Sequence, residues 1–136
     1  MIAEQIMRHD QVIQAVFPRQ GETGTPFFYT IGNAPWGLPE LLLIGNLRPE
    51  TAMLLLNPLG ERMRSEGKPL SEGLLDIGWN YPVKVRKTGP AARERYTVQA
   101  GVSLGHEDYE VKQIMICDRE GRFPGDIGCE LEVDRP

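Results

Sequence analysis

Short apolar runs, punctuated by glycine and proline, dominate the pattern along this chain. Ile2 and Ile6 share one face of a short amphipathic helix over residues 2–8. Over residues 11–17, Val12, Ala15 and Val16 are interrupted by Gln11 and Gln14, which predicts a strand. Residues 18–26 carry Gly21 and Gly24 and read as a loop. Phe27-Phe28-Tyr29-Thr30-Ile31 then reads as a second strand, because aromatic and β-branched side chains suit a pleated, half-buried surface. The two strands are expected to form a hairpin across the long loop. Leu41-Leu42-Leu43-Ile44, bounded by Pro39 and Gly45, fits a buried strand, although periodicity alone leaves a helical turn open.

Helical spacing takes over after Pro49, which suits the first helical position because its missing N–H has no partner there in any case. Ala52, Leu55, Leu56, Leu59 and Met63 recur at that spacing, and Gly67 supplies a stop. Pro58 falls inside the pattern and is expected to kink or split the helix. Residues 68–80 hold Pro69, Gly73, Gly78 and Asn80 and read as turns; residues 81–87 alternate as a strand. The next segment supports two readings. Ala92, Tyr96, Ala100 and Leu104 recur every four residues as in a helix, while Tyr96, Val98, Ala100, Val102 and Leu104 alternate as in a strand. A strand over 109–117 ends in the turn Asp118-Arg119-Glu120-Gly121, and the chain beyond Pro124 is acidic and loop-like. The expectation is one α+β domain over residues 1–136, with a mixed, mainly antiparallel sheet of about five strands and two or three packed helices.

Composition narrows the function classes. The formal charge is −4, from 15 basic and 19 acidic residues, and argues against a nucleic-acid binder, whose affinity rests largely on phosphate contacts. Lys84, Arg86, Lys87, Arg93 and Arg95 form the one basic cluster, which also fits a solvated face. No apolar run approaches the roughly 20 residues of a membrane span, and residues 1–10 lack the apolar stretch of a signal peptide. Cys117 and Cys129 are too few for a disulfide framework, so a cytoplasmic protein with reduced thiols is expected. Cys117, in an apolar stretch, reads as a packed core thiol.

In order along the chain, Phe28-Tyr29-Thr30-Ile31-Gly32, Pro39-Glu40-Leu41 with Gly45, and Asp118 with Gly121-Arg122-Phe123-Pro124 resemble a bacterial family known only as a domain of unknown function, DUF4262. The resemblance spans roughly residues 9–128. It departs at Leu38, where the family has a histidine before Pro-Glu-Leu, and at Ile116-Cys117, where it has Trp-Pro before the aspartate. It implies a fold and a candidate surface but no reaction, and a site built on that histidine is absent here.

Candidate chemistry is sparse. Neither glycine-rich phosphate-loop template is present, and His9, His106, Cys117 and Cys129 lack the short spacing of zinc ligands; no cofactor or metal is expected. The serines lack a nucleophile-elbow context, and a Cys117–His106 pair would need a thiol usually inert inside a strand. Paired acids remain. If the strands bearing Glu40 and Asp118 are neighbours, both carboxylates share a rim with Tyr29, Thr30 and Arg122 and could bind a ligand or move a proton. The same residues fit a structural role: Glu40 capping a turn, Asp118 accepting N–H groups in its own turn, Arg122 pairing with either. Trp36 and Trp79, both in loops, are the candidate contact residues for a protein partner or a second copy. The leading expectation is therefore a non-enzymatic interaction or accessory binding module. Its alternative is a small-molecule-binding protein or enzyme using the rim.

Overall fold

A computed structural model describes residues 11–136. The helix predicted over residues 2–8, together with His9, lies outside them. Among the described residues six strands form one mixed sheet: β1 (Val12–Val16), β2 (Phe27–Ile31), β3 (Glu40–Ile44), β4 (Gly73–Leu75), β5 (Val83–Lys87) and β6 (Val111–Met115). Their spatial order is β1-β2-β3-β6-β5-β4. Only the central β3–β6 pair is parallel; the other pairs are antiparallel. The α+β architecture is as the hydrophobic pattern predicts, with one strand more than the five expected. The addition is β4, a three-residue edge strand inside the turn-rich stretch 68–80, too short to carry a period of its own.

Helices cover both faces. α1 (Pro49–Glu66) begins on Pro49 and closes at Gly67, which takes a left-handed conformation (φ 69°) and donates its N–H to Met63 O. Its buried side chains, Ala52, Leu55, Leu56, Leu59 and Met63, meet Phe28, Leu41, Leu43, Val83, Val85 and Ile114. The opposite face carries a π-helical turn (Ala92–Tyr96) followed by α2 (Val98–Leu104), packed with Tyr29, Ile31, Leu42, Ile44, Tyr109 and Val111. Alternate residues of β3 thus enter two different cores, so the strand reads as one uninterrupted apolar run.

The ambiguity over residues 91–104 resolves as helix. Ala92 and Ala100 are buried, Tyr96 and Leu104 pack beside them, and Val98 and Val102 face solvent, which a strand would not permit. Pro58 does not split α1: the helix runs through it. Pro58 lies on the exposed side, so the carbonyl whose partner it removes faces water rather than the core.

Candidate functional site

β3 and β6 are neighbours, as the rim of paired acids requires, but they run parallel, and that direction undoes the rim. Glu40 stands opposite Val111 at the start of both strands, whereas Asp118 follows the end of β6. Asp118 lies seven positions beyond Val111 along largely extended chain, so the two carboxylates sit roughly 20 Å apart at opposite ends of the sheet. Tyr29 joins neither. Alternation along β2 turns it to the face away from Thr30, where its buried hydroxyl accepts the Gln99 N–H (3.2 Å) in the first turn of α2. Burial pushes the Tyr29 phenol above its ordinary range, with Gln99 opposing.

Glu40 is 1% exposed and surrounded by donors. The N–H groups of Gly32 (3.1 Å), Asn33 (3.1 and 3.2 Å) and Ala34 (2.9 Å) converge on its oxygens, curling residues 32–34 around it. The Thr30 hydroxyl lies 2.7 Å from Oε1. Thr30 Oγ1 already accepts from Leu41 N and Asn33 Nδ2, so its single proton is left for Glu40. Every neighbour therefore donates, and a proton on Glu40 would have no acceptor among them. Burial is the largest influence on this carboxyl and pushes it above the usual range, against the pull of Ala34, Thr30, Gly32 and Asn33. The network continues outward: Gln11 Oε1 accepts from Asn33 Nδ2 and from Arg64, Asn33 Oδ1 accepts from Arg64, and Gln11 Nε2 donates to Leu56 O and Asn57 Oδ1. Gln11 approaches α1 where Gly60 leaves room; a Cβ there would stand 1.9 Å from Gln11 Oε1.

Asp118 is saturated in the same way. Oδ1 accepts from the N–H groups of Glu120 and Arg122 (2.9 Å each), and Oδ2 from Glu130 N (2.9 Å) and Arg122 Nε (3.1 Å). Burial pushes its carboxyl up, but the N–H groups of Glu130, Arg122 and Glu120 and the Arg122 guanidinium outweigh it and hold the group well below the usual carboxylate range. The geometry thus brings Thr30 to Glu40 and Arg122 to Asp118, as two separate knots that each fasten a loop. Among the described residues every buried side-chain nitrogen and oxygen has a hydrogen-bond partner.

The remaining sequence candidates are also dispersed. Trp36, 60% exposed, belongs to a 3-10 turn (Ala34–Trp36) at the Glu40 end; Trp79 lies at the other end of the sheet. His106, whose Nδ1 accepts the Asp108 N–H, precedes β6 while Cys117 follows it, so the sheet separates thiol from imidazole. Of the basic cluster, Lys84 lies over the Phe123 ring (6.0 Å), Arg86 bonds Gln113 Oε1 and Pro136 O, and Arg93 bonds Tyr109 O.

One open feature among the described residues is a cleft of about 510 Å³ where β3 and β6 end. Leu47 follows β3, Thr51 and Leu55 come from α1, Trp79, Tyr81 and Val83 lead into β5, and Ile116 and Cys117 follow β6. The C-terminal edge of neighbouring parallel strands is where open sheets with helices on both faces commonly hold ligands, because the connections diverge there and leave a crevice. Sequence reading singled out only Trp79 of these residues and took Cys117 for a packed core thiol. Cys117 is half-buried in the cleft wall, and burial pushes its thiol up. The other wall residues carry no local signal: finding them requires knowing that β6 lies beside β3. Among the described residues, no three His, Cys, Asp or Glu side chains are grouped as metal ligands.

A family model described as a domain of unknown function, DUF4262, matches residues 5–130. Neither a curated protein nor a solved structure matches the chain.

Proposed function

The chain belongs to the DUF4262 family, a domain of unknown function, and we propose that it is a non-catalytic binding module that seats a small, mainly apolar molecule in the cleft at the ends of β3 and β6. The observation that carries this is the cleft itself: about 510 Å³, walled by Leu47, Leu55, Val83, Ile116 and the half-exposed Trp79. That volume falls within the range of small-molecule pockets, and such pockets are mostly apolar with few polar groups. The acids that could have supported catalysis are instead consumed in holding loops, Glu40 at 32–34 and Asp118 at 120–130.

Native mass spectrometry, before and after denaturation, tests the proposal together with Trp79 emission in a Trp36→Phe background. Extra mass that denaturation releases and Trp79→Ala fails to retain supports it. If wild-type protein carries no such mass, and no neutral apolar probe such as N-phenyl-1-naphthylamine alters Trp79 emission, the proposal fails.

A second reading, self-association, draws on the outward side of α1, where Leu54 is 68% exposed and Met53 47%. Light scattering decides it: a dimer that Leu54→Glu dissociates without unfolding the chain would favour this reading.

A further inference from the structure

The cleft does not stop at Cys117. A second cavity, about 430 Å³, begins on the far side of the same three residues, so that Leu47, Ile116 and Cys117 line both. We infer that the two cavities are lobes of one elongated site, and that its ligand is a long-chain amine whose hydrocarbon tail lies along Trp79 and Leu55 and whose ammonium head lies under residues 130–133. This inference rests on the binding reading above and adds the shape and the charge of the ligand.

The shape follows from the shared sill. A compact molecule would fill one lobe and leave the other empty, whereas a linear one crosses the sill and removes apolar surface on both sides from water. The charge follows from the second lobe, whose charged lining is Asp118, Arg119, Glu130 and Glu132. Arg119 is paired with Glu130 (3.1 Å), and both Asp118 oxygens are filled by donors within the protein. Glu132, exposed at the rim of the lobe, has no ion partner among the described residues and is the carboxylate left for a cationic head. An anionic head would meet net negative charge there.

The test titrates octylamine, decylamine and dodecylamine, below their micelle concentrations, with dodecanol and dodecanoate as neutral and anionic counterparts. It uses a Trp36→Phe, Cys129→Ser protein, in which emission reports Trp79 and alkylation by iodoacetamide reports Cys117. Dodecylamine is expected to shift Trp79 emission and slow Cys117 alkylation at least tenfold, both with one midpoint. Affinity should strengthen about fourfold per added methylene. Its advantage over dodecanol should vanish in Glu132→Gln. If Trp79 responds but affinity stops rising beyond octylamine and Glu132→Gln leaves dodecylamine binding unchanged, the lobes are separate: the inference falls and the binding reading stands. Dodecanoate binding as tightly as dodecylamine would overturn the cationic head. Silence of Trp79 toward every member would remove both the inference and the binding reading.

Discussion

At the scale of single residues, Glu40 and Asp118 contrast two ways of burying a carboxylate. Glu40 is enclosed, and burial raises its carboxyl above its ordinary range although every neighbour donates to it. Glu40→Gln sets an NH₂ group against those donors, and is expected to lower stability by about 2–4 kcal/mol, read from the urea midpoint. A ligand-contacting acid would instead tolerate the change. Asp118 has the opposite shift, and the signs separate the two groups. Its contribution is full above its unfolded pKa, near 4, and is lost as the pH falls toward the depressed folded value. The contribution of Glu40 is already full below its own unfolded pKa and is lost only as the pH rises through the folded one. The loss of stability below about pH 4 therefore carries the Asp118 signature. Urea midpoints measured from pH 4 down to 2 should show a shallower acid limb in Asp118→Asn, while Glu40→Gln keeps close to the wild-type slope there. The turn around Asp118 was legible because its donors lie within a few residues, at Glu120 and Arg122. That Glu130 also donates to it depends on where the C-terminal segment returns.

At the scale of elements, local pattern settled what packing later used. β2 and α1 were readable because each carries its whole signal internally: β-branched and aromatic residues in one, a Pro start, a four-residue apolar repeat and a Gly stop in the other. β4 was not, since three residues pair with β5 without any alternation of their own. Two glycines within helices show what sequence could not separate. Gly60 and Gly101 both occupy helical positions where alanine is intrinsically better by roughly 1 kcal/mol. At Gly101 an added Cβ meets neighbours at 3.5–3.7 Å, ordinary contact, so Gly101→Ala is expected to gain a few tenths to about 1 kcal/mol. At Gly60 it would stand 1.9 Å from Gln11 Oε1 and 2.6 Å from Cδ, so Gln11 must leave the network it shares with Asn33 and Arg64. Gly60→Ala is expected to cost about 1–3 kcal/mol. Thermal melts of the two variants should move in opposite directions from the wild type.

At the scale of the whole molecule, the site arises from one pairing that local pattern does not specify. β3 and β6 are separated by α1, β4, β5 and α2, yet they lie side by side and in the same direction, which places Glu40 and Asp118 apart and leaves the crevice at the far end. The C-terminal segment completes that arrangement. Glu130 N–H is held by Asp118, Asp134 O accepts from Gln113 Nε2, Pro136 O accepts from Arg86, and Tyr96 Oη donates to Asp134. Residues 130–133 meanwhile line the second cavity. The segment therefore ties together β5, β6 and the π-helical turn while walling that lobe. A chain ending at Glu130 loses three of these four ties and uncovers the fully buried Gln113, whose amide then depends on water. Its stability is expected to fall by about 2–4 kcal/mol, and Cys117 alkylation to accelerate because one wall of its surroundings is gone. Global unfolding would speed alkylation of Cys117 and Cys129 alike and steepen with urea. Local opening instead accelerates Cys117 selectively and stays flat at low urea, and that is the outcome this geometry predicts.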